Sequence, residues 1–273
     1  MKNLAGSRAK WLDVDPARLP GWIDSFARRH SVGLPDASLT VALAGDGVSF
    51  TAPDGAVAEC HPPFPPVRDL AMPLPAYPDV TAAIAAHAQR PRTVGVLLVR
   101  LGGYAAGVFT GSPPRLADAK TGSRPVHGRS AAGGQSQHRF ARRREKQANE
   151  ALAAAANTAV EVFGRWRGHG PADGEGHGGQ PGERRGETRG RSDNVITASG
   201  GPAERERRPR LDAIVLGGDK RAVATLGEDS RLAPYLAIAT DRFLTVPDPR
   251  RRVLEDAPRL FLAVKIRLME PEP

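Results

Sequence analysis

Apolar residues recur at two different spacings along the chain, and the spacing predicts which segments form helices and which form strands. Before residue 62, apolar positions at helical spacing are followed by three β-like runs separated by Asp-Gly dipeptides, which is typical of a helix and a β-meander. The helix carries Leu19, Trp22, Ile23 and Phe26 on one face, and the strands are 38–44, 48–52 and 56–60. A proline-rich connector follows, so we expect residues 1–78 to form a small α+β module.

From residue 79 onward, predicted helices and strands alternate. An Ala-rich helix over 79–89 precedes an apolar strand, a Gly-Gly turn and two further strands. A long helix then starts at Ser136, and after residue 210 a strand ends at a Gly-Gly turn where Asp219 caps a helix. The predicted strands are 93–99, 104–110, 115–121, 211–216 and 260–268. This interleaving predicts a mixed α/β fold, with helices packed on a mixed sheet.

Composition divides this second part of the chain in two. The 273 residues include 30 Gly and 25 Pro, well above ordinary usage, and residues 168–209 are mostly Gly, Arg, Glu, Pro and Ser, with almost nothing apolar except Val195 and Ile196. A segment with so few apolar residues buries too little surface to offset its ordering entropy, so we expect a disordered insertion. We expect residues 79–167 and 210–269 to form one domain around it, because long surface insertions cost little loop-closure entropy.

The single cysteine, Cys60, excludes an internal disulfide framework and is typical of a reducing compartment. The longest apolar stretch, 94–99, is far too short to cross a bilayer, and no apolar run follows the charged N-terminus. We therefore expect a cytoplasmic protein without a membrane partner.

Positive charge is concentrated in one segment. The formal net charge is +9, and residues 120–147 contain eight Lys or Arg against one acid, Glu145. Five of these cations fall in the first turns of the predicted helix, where the helix dipole opposes each exposed cation by about 0.3–1 kcal/mol. A solvated face is the common explanation of a charge run, but an external anion would offset this unfavourable placement. We expect that anion to be phosphate of RNA, and we expect no DNA partner.

The loop before the long helix contains Gly133-Gly134-Gln135, the hallmark tripeptide of peptide release factors. The tripeptide alone is a weak signal, because a second copy, 178–180, lies in the Gly-rich insertion with no predicted helix or strand beside it. The first copy has a specific context, namely a strand hairpin, the thin loop 128–135, the basic run 136–144 and a long helix. We therefore assign function to the first copy and none to the second.

With this context, residues 90–167 and 210–269 resemble the middle domain of archaeal and eukaryotic class I peptide release factors. More closely, they resemble the actinobacterial branch of the Vms-like release factor family, including the segment 248–255. The resemblance implies a ribonuclease H-like catalytic domain and a ribosome-dependent peptidyl-tRNA hydrolase that releases nascent chains from stalled large subunits. It implies as partners the large ribosomal subunit, the ribosomal RNA of the peptidyl transferase centre and peptidyl-tRNA, and it implies no cofactor.

The same resemblance assigns the site residues. Gly133 and Gly134 would let the loop enter a narrow RNA-lined cavity. Gln135 would donate its backbone N–H to the transition state or to the leaving 3′ oxygen, while its side chain orients water. Water attacks the ester of peptidyl-tRNA, so the chemistry requires neither a protein nucleophile nor a metal. The residues expected to bind RNA are Arg129, Ser136, His138, Arg139, Arg142, Arg143, Arg144 and Lys146.

Two other function classes stay open on the sequence. A nuclease that cleaves the tRNA acceptor end would use carboxylates such as Asp118, Asp212, Asp219 and Asp241, although no pair has a diagnostic spacing. A non-catalytic ribosome-binding rescue factor is the other. The histidines do not form a metal-ligand set, and the segment 217–220 lacks a phosphate-loop pattern, so we interpret it as a strand-to-helix turn.

Overall fold

The computed structural model describes residues 9–31, 39–67, 70, 74, 76–100, 102–123, 134–166 and 209–271, without the side chains of 134–141, 143 and 144. These residues form a mixed α/β structure with two five-stranded sheets, which confirms the predicted fold class. The predicted insertion, 168–209, lies outside the described residues apart from Pro209. None of the described helices is both long and apolar enough to cross a bilayer.

The chain divides into two compact units. The first is made of Met1–Pro91, Gly111–Pro114 and Asp256–Pro273, and the second of Arg92–Thr110 and Arg115–Glu255. The strands of the first unit, in the order in which they pair, are β1 (Lys10–Val14), β10 (Val264–Met269), β4 (Val57–His61), β3 (Gly47–Thr51) and β2 (Thr40–Ala44). Every neighbouring pair in this sheet is antiparallel. The helix and the meander predicted before residue 62 are therefore present.

The core of the first unit lies between this sheet and two helices, α1 (Leu19–His30) and α2 (Tyr77–Ala88). Alternate strand residues, such as Phe50, Cys60 and Ile266, face the core and are buried with Ile23 and Phe26 of α1. Burial raises the pKa of the Cys60 thiol to about 12. The thiol is therefore protonated at neutral pH and acts as a small apolar residue.

The last strand joins the first unit, whereas the sequence interpretation placed it in one domain with residues 79–167. β10 pairs with β1 on one side and with β4 on the other. It also begins at Val264 rather than at 260, because Ala257–Phe261 is a helix with Pro258 in its first turn. The alternation of apolar residues identified a strand here, but alternation does not reveal which sheet a strand joins.

The second unit contains a mixed sheet covered by helices. Its strands, in the order in which they pair, are β7 (Arg115–Ser123), β6 (Gly103–Thr110), β5 (Val94–Arg100), β8 (Ala213–Gly218) and β9 (Ala239–Leu244). The pairs from β7 to β5 are antiparallel, and the pairs from β5 to β9 are parallel. The helices are α3 (Gly134–Gly164), α4 (Lys220–Leu226), α5 (Ala233–Leu236) and α6 (Arg251–Glu255).

The close packing of α3 on this sheet depends on Gly95. A Cβ at this position would collide with Ile214 and would lie 3.1 Å from Cε1 of Phe163, so glycine leaves the space that the phenyl ring occupies. The Phe163 ring in turn contacts the ring of Tyr235, with 5.4 Å between their centroids. The C-terminal end of α3 is thereby packed over the first residues of β5 and β8.

The segment 217–220 is a strand-to-helix turn, as predicted. Gly218 has a φ of +103°, and a Cβ there would collide with the carbonyl oxygen of Val99. The backbone N–H of Asp219 donates to the same oxygen at 2.7 Å, and the Asp219 side chain caps α4. The turn therefore fastens the end of β8 to the end of β5.

Candidate functional site

The long helix α3 extends well beyond the sheet on which it packs. Its 31 residues span about 46 Å. From Ala151 to Phe163 the helix buries one face, whereas none of the described side chains between Arg142 and Glu150 is buried. Ala148 lies beside the end of β5. The segment 134–147 therefore continues the helix for about 20 Å past the edge of this sheet.

A buried carboxylate fixes the C-terminal end of α3 to the sheet. Asp118 of β7 is 1% exposed and accepts hydrogen bonds from Nε and Nη2 of Arg165, at 2.7 and 2.9 Å. The indole N–H of Trp166 donates to the same carboxylate at 3.2 Å. Bidentate guanidinium–carboxylate pairs are among the strongest hydrogen-bonded contacts in proteins. This contact therefore fixes where α3 ends and, because the helix is continuous, where its opposite end points.

Three further hydrogen bonds hold the same side of α3. Glu161 accepts hydrogen bonds from Nζ of Lys120 at 2.9 Å and from Nη1 of Arg165 at 3.1 Å. The hydrogen bond from Lys120 is the main reason that the pKa of Glu161 lies below its ordinary value. One turn earlier, Asn157 accepts a hydrogen bond from Nη1 of Arg231 at 2.8 Å. Positions 157, 161 and 165 follow one another at a spacing of four, so these contacts form a line along the helix.

Two residues of the predicted tripeptide, Gly134 and Gln135, lie at the N-terminal tip of the extended segment. Gly134 is the first helical residue and Gln135 the second, while Gly133 and Arg129 lie outside the described residues. Arg142 and Lys146 are exposed, and within the described part of the chain neither forms an ion pair. The remaining predicted RNA-binding residues have helical backbones but undescribed side chains, and they are Ser136, His138, Arg139, Arg143 and Arg144.

The start of α3 changes the electrostatic argument. The helix begins at Gly134 rather than at Ser136, and the helix dipole acts mainly within the first turn. Arg142 and Lys146 lie beyond the second turn, so the expectation that the dipole opposes these cations is wrong. Repulsion between like charges takes its place, because Arg142 and Lys146 are four residues apart on one side of the helix. An external anion would still stabilise this segment, because it would offset the repulsion between the cations rather than their interaction with the helix dipole.

A cavity of about 250 Å³ opens where α3 leaves the sheet. It lies at the carboxyl ends of β5 and β8, two neighbouring parallel strands; the chain turns from β5 back into the antiparallel β6, and from β8 it continues into α4. In open α/β sheets, ligands bind outside the carboxyl ends of the strands. The polar side chains in its lining are those of Arg100, Tyr104, Asp219, Arg221 and Thr225.

The four aspartates considered for nuclease chemistry do not form one site, and Asp241 is exposed on β9. Asp118 is bound by Arg165, and Asp212 accepts a hydrogen bond from the backbone N–H of Thr93 at 2.7 Å, near the start of β5. Asp219 lies at the opposite end of that strand, where it accepts from the backbone N–H of Arg221 at 2.8 Å. Within the ranges that the structure describes, no three His, Cys, Asp or Glu side chains are grouped as a metal site.

Residues 92–267 match the family model described as "Actinobacteria/chloroflexi VLRF1 release factor". The match covers more than half of the chain and confirms the resemblance inferred from the tripeptide and its context. The matched region includes the whole of the second unit, with α3, the Asp118 contact and the cavity. No curated protein matches the chain at a significant level.

Proposed function

The chain belongs to the VLRF1 release factor family of Actinobacteria and Chloroflexi, and on that premise we propose that it is a ribosome-dependent peptidyl-tRNA hydrolase. In this proposal α3 carries Gly133-Gly134-Gln135 into the peptidyl transferase centre of a stalled large subunit. Water then hydrolyses the ester between the nascent chain and the tRNA. The observation that supports this best is the place of Gly134 and Gln135, at the tip of a helix that extends about 20 Å past its sheet.

A reaction centre enclosed by RNA is accessible only to a narrow extension of a protein. A single helix with its side chains is about 10–12 Å wide, and its first residue, Gly134, has no side chain to widen the tip. Exposed cations such as Arg142 and Lys146 lie along the extension, where they suit the phosphates of ribosomal RNA or tRNA. The shape and the charge of the extension thus support the same use.

The helix start supports a role for the backbone in the chemistry. The first four N–H groups of a helix have no acceptor within the helix, and Gln135 belongs to this first turn. Ester hydrolysis passes through a tetrahedral oxyanion, which such N–H groups stabilise by about 3–4 kcal/mol each in other enzymes. In our proposal the N–H of Gln135 stabilises that oxyanion or the leaving 3′ oxygen, and its side-chain amide orients the attacking water.

Large subunits that carry peptidyl-tRNA distinguish this proposal from its alternatives. After incubation with the protein, gel analysis should show free peptide and intact tRNA. Peptide that still carries terminal nucleotides would instead identify a nuclease. Unchanged peptidyl-tRNA would identify a non-catalytic binding factor.

Variants of the tripeptide test which groups act. Gly134→Ala with Gln135→Ala should strongly lower the release rate without unfolding the protein. Gln135→Pro removes the backbone N–H at a position where the first turn of a helix tolerates proline, so we expect a loss of about 100-fold or more. The matched control is Gln180→Ala, in the second copy of the tripeptide, which should leave release unchanged. Unchanged release by the Gly134→Ala, Gln135→Ala double variant would contradict the assignment.

A further inference from the structure

The cavity beside the extended segment of α3 is small and partly aromatic. Its volume of about 250 Å³ lies below the range of about 300–1,000 Å³ for sites of drug-sized ligands. Small residues create the space, namely Ala148 and Ala151 of α3, Ala222 of α4 and the Gly102-Gly103 turn. A flat group about the size of one nucleobase suits such a space better than a large cofactor does.

Tyr104 provides a fixed aromatic surface in this lining. Its ring lies across Gly122 of the neighbouring strand, where a Cβ would lie 2.8 Å from Cε2 of the ring and would collide with the hydroxyl end. Gly122 therefore leaves the space that the hydroxyl end of the ring occupies on the sheet. Tyrosine rings held in this way on a sheet are surfaces on which unstacked bases are bound.

Charged and hydroxyl groups surround the aromatic surface. Arg100 and Arg221 are exposed, and Arg100 is held in place by a hydrogen bond from Nη1 to the carbonyl oxygen of Val246, at 2.9 Å. No described acidic side chain pairs with the Arg221 guanidinium. Asp219 and Thr225 add oxygen atoms that suit the donors on the edge of a base. The lining thus offers two cations for phosphate and polar groups for a base.

We propose that this cavity binds a single unstacked nucleotide of single-stranded RNA, with its base against Tyr104 and its phosphate beside Arg100 and Arg221. RNA is indicated because Ala148, in the lining of the cavity, follows two residues after Lys146, the last cation of the cationic part of α3. Recognition of single-stranded RNA commonly combines a cationic surface with stacking of splayed bases. The inference rests on the proposed function for its choice of RNA, but its test needs neither ribosomes nor hydrolysis.

Fluorescence anisotropy of the full chain with a labelled single-stranded RNA of about 12 nucleotides, and with the duplex of the same sequence, tests this site. Ala222→Leu fills the cavity from α4, and Ala148→Leu fills it from α3. Each should raise the Kd for the single strand at least about fivefold, since stacking of one base is lost, and should change the Kd for the duplex less than about twofold. The control Ala224→Leu adds the same side chain to an exposed position of α4 outside the cavity and should change neither.

The dependence of Kd on salt separates stacking from charge. Arg221→Gln should flatten the slope of log Kd against log salt by about 0.7, as expected for one phosphate contact with a single strand. The cavity-filling variants change no charge and should keep the slope. Gln135→Ala should bind the oligonucleotide as the unaltered protein does, so a failure of the hydrolase proposal and a failure of this one give different results.

Three outcomes would overturn the proposal. Folded Ala222→Leu and Ala148→Leu proteins could keep the full affinity for the single strand, or they could lose affinity for the single strand and the duplex equally. Free UMP or AMP could bind more tightly than the oligonucleotide, which would assign the cavity to a free nucleotide. Circular dichroism establishes folding, and Tyr104→Leu, which removes the ring but keeps an apolar side chain, decides the matter if a filling variant does not fold.

Discussion

Replacing Asp118 by alanine tests how α3 is held on its sheet. The carboxylate is 1% exposed and accepts two hydrogen bonds from the guanidinium of Arg165 and one from the indole of Trp166. Alanine removes the acceptors for all three. It also leaves the guanidinium, 26% exposed, beside a space with no negative charge. We therefore expect the C-terminal end of α3 to be held less firmly against β7.

The size of the effect follows from the exposure of each group. Removing one partner of a fully buried ion pair costs about 3–5 kcal/mol. Arg165 is partly exposed and keeps its ion pair with Glu161 at 3.1 Å, so the loss of Asp118 as its partner should cost only about 2 kcal/mol. Loss of the Asp118 acceptor by the Trp166 indole adds about 1 kcal/mol. The free energy of unfolding should therefore fall by about 3 kcal/mol in Asp118→Ala, and by about half as much in Asp118→Asn, which keeps one oxygen acceptor.

Urea unfolding followed by circular dichroism at 222 nm measures this loss. With a slope of about 3 kcal/mol per molar urea, the midpoint should move down by about 1 M. Glu161→Gln is the matched control on the same helix face, because its carboxylate is 47% exposed and surface pairs contribute at most about 1 kcal/mol. If Asp118→Ala destabilised the protein no more than Glu161→Gln does, the argument that a buried contact fixes α3 would be refuted.

Two further variants test the turn and the charges. Gly218→Ala should lower the free energy of unfolding by more than about 2 kcal/mol in the same urea assay, because φ is +103° and the added Cβ collides with Val99. The control Gly45→Ala, where φ is +57° and the space is open, should lower it by about 1 kcal/mol. Equal losses in the two variants would contradict the close approach at Gly218. Arg142→Gln with Lys146→Gln should flatten the salt dependence of large-subunit binding, measured by sedimentation, by about 1.5. The control is Arg18→Gln with Arg28→Gln, which removes two exposed charges from the first unit and so changes the net charge equally. If this control flattened the salt dependence as much as the α3 variant does, α3 would have no special role in binding.

Local signals in the sequence were sufficient for many elements of the fold. The hairpin of β5 and β6 follows from an apolar run, a Gly-Gly turn and a second apolar run, and the start of α4 follows from a strand that ends before a capping aspartate. In contrast, β1 and β9 were not predicted, because their short segments mix charged and apolar residues without clear alternation. Their stability comes from neighbours distant in sequence, such as β10 beside β1. No local pattern contains that information.

The supporting contacts of the candidate site were harder to predict than its tip. The tripeptide and the cationic run are contiguous, so their spacing and context are visible in the sequence. Asp118 was considered only as a nuclease carboxylate, although a single acid in an apolar strand can also signal a buried ion pair. Its partner, Arg165, lies 47 residues away and was not singled out. The cavity joins four separate segments, 99–100, 102–104, 148–152 and 219–225, so only the folded chain brings its lining together.

The two halves of α3 are stabilised in different ways, and this difference links the fold to the proposed function. Among residues 139–146, four pairs of cations lie three or four positions apart, and repulsion within these pairs opposes the helix by about 1–2 kcal/mol in total. No described side chain between Arg142 and Glu150 offsets this by burial, whereas the segment from Ala151 to Trp166 has a buried face and the Asp118 contact. Helix formation is cooperative, so the packed half supplies the nucleus and the extended half adds residues to it at small cost. Phosphates placed along the extended half would convert the remaining repulsion into attraction. The extended half of α3 should therefore become most stable when RNA surrounds it, which is the surrounding that the proposed reaction requires.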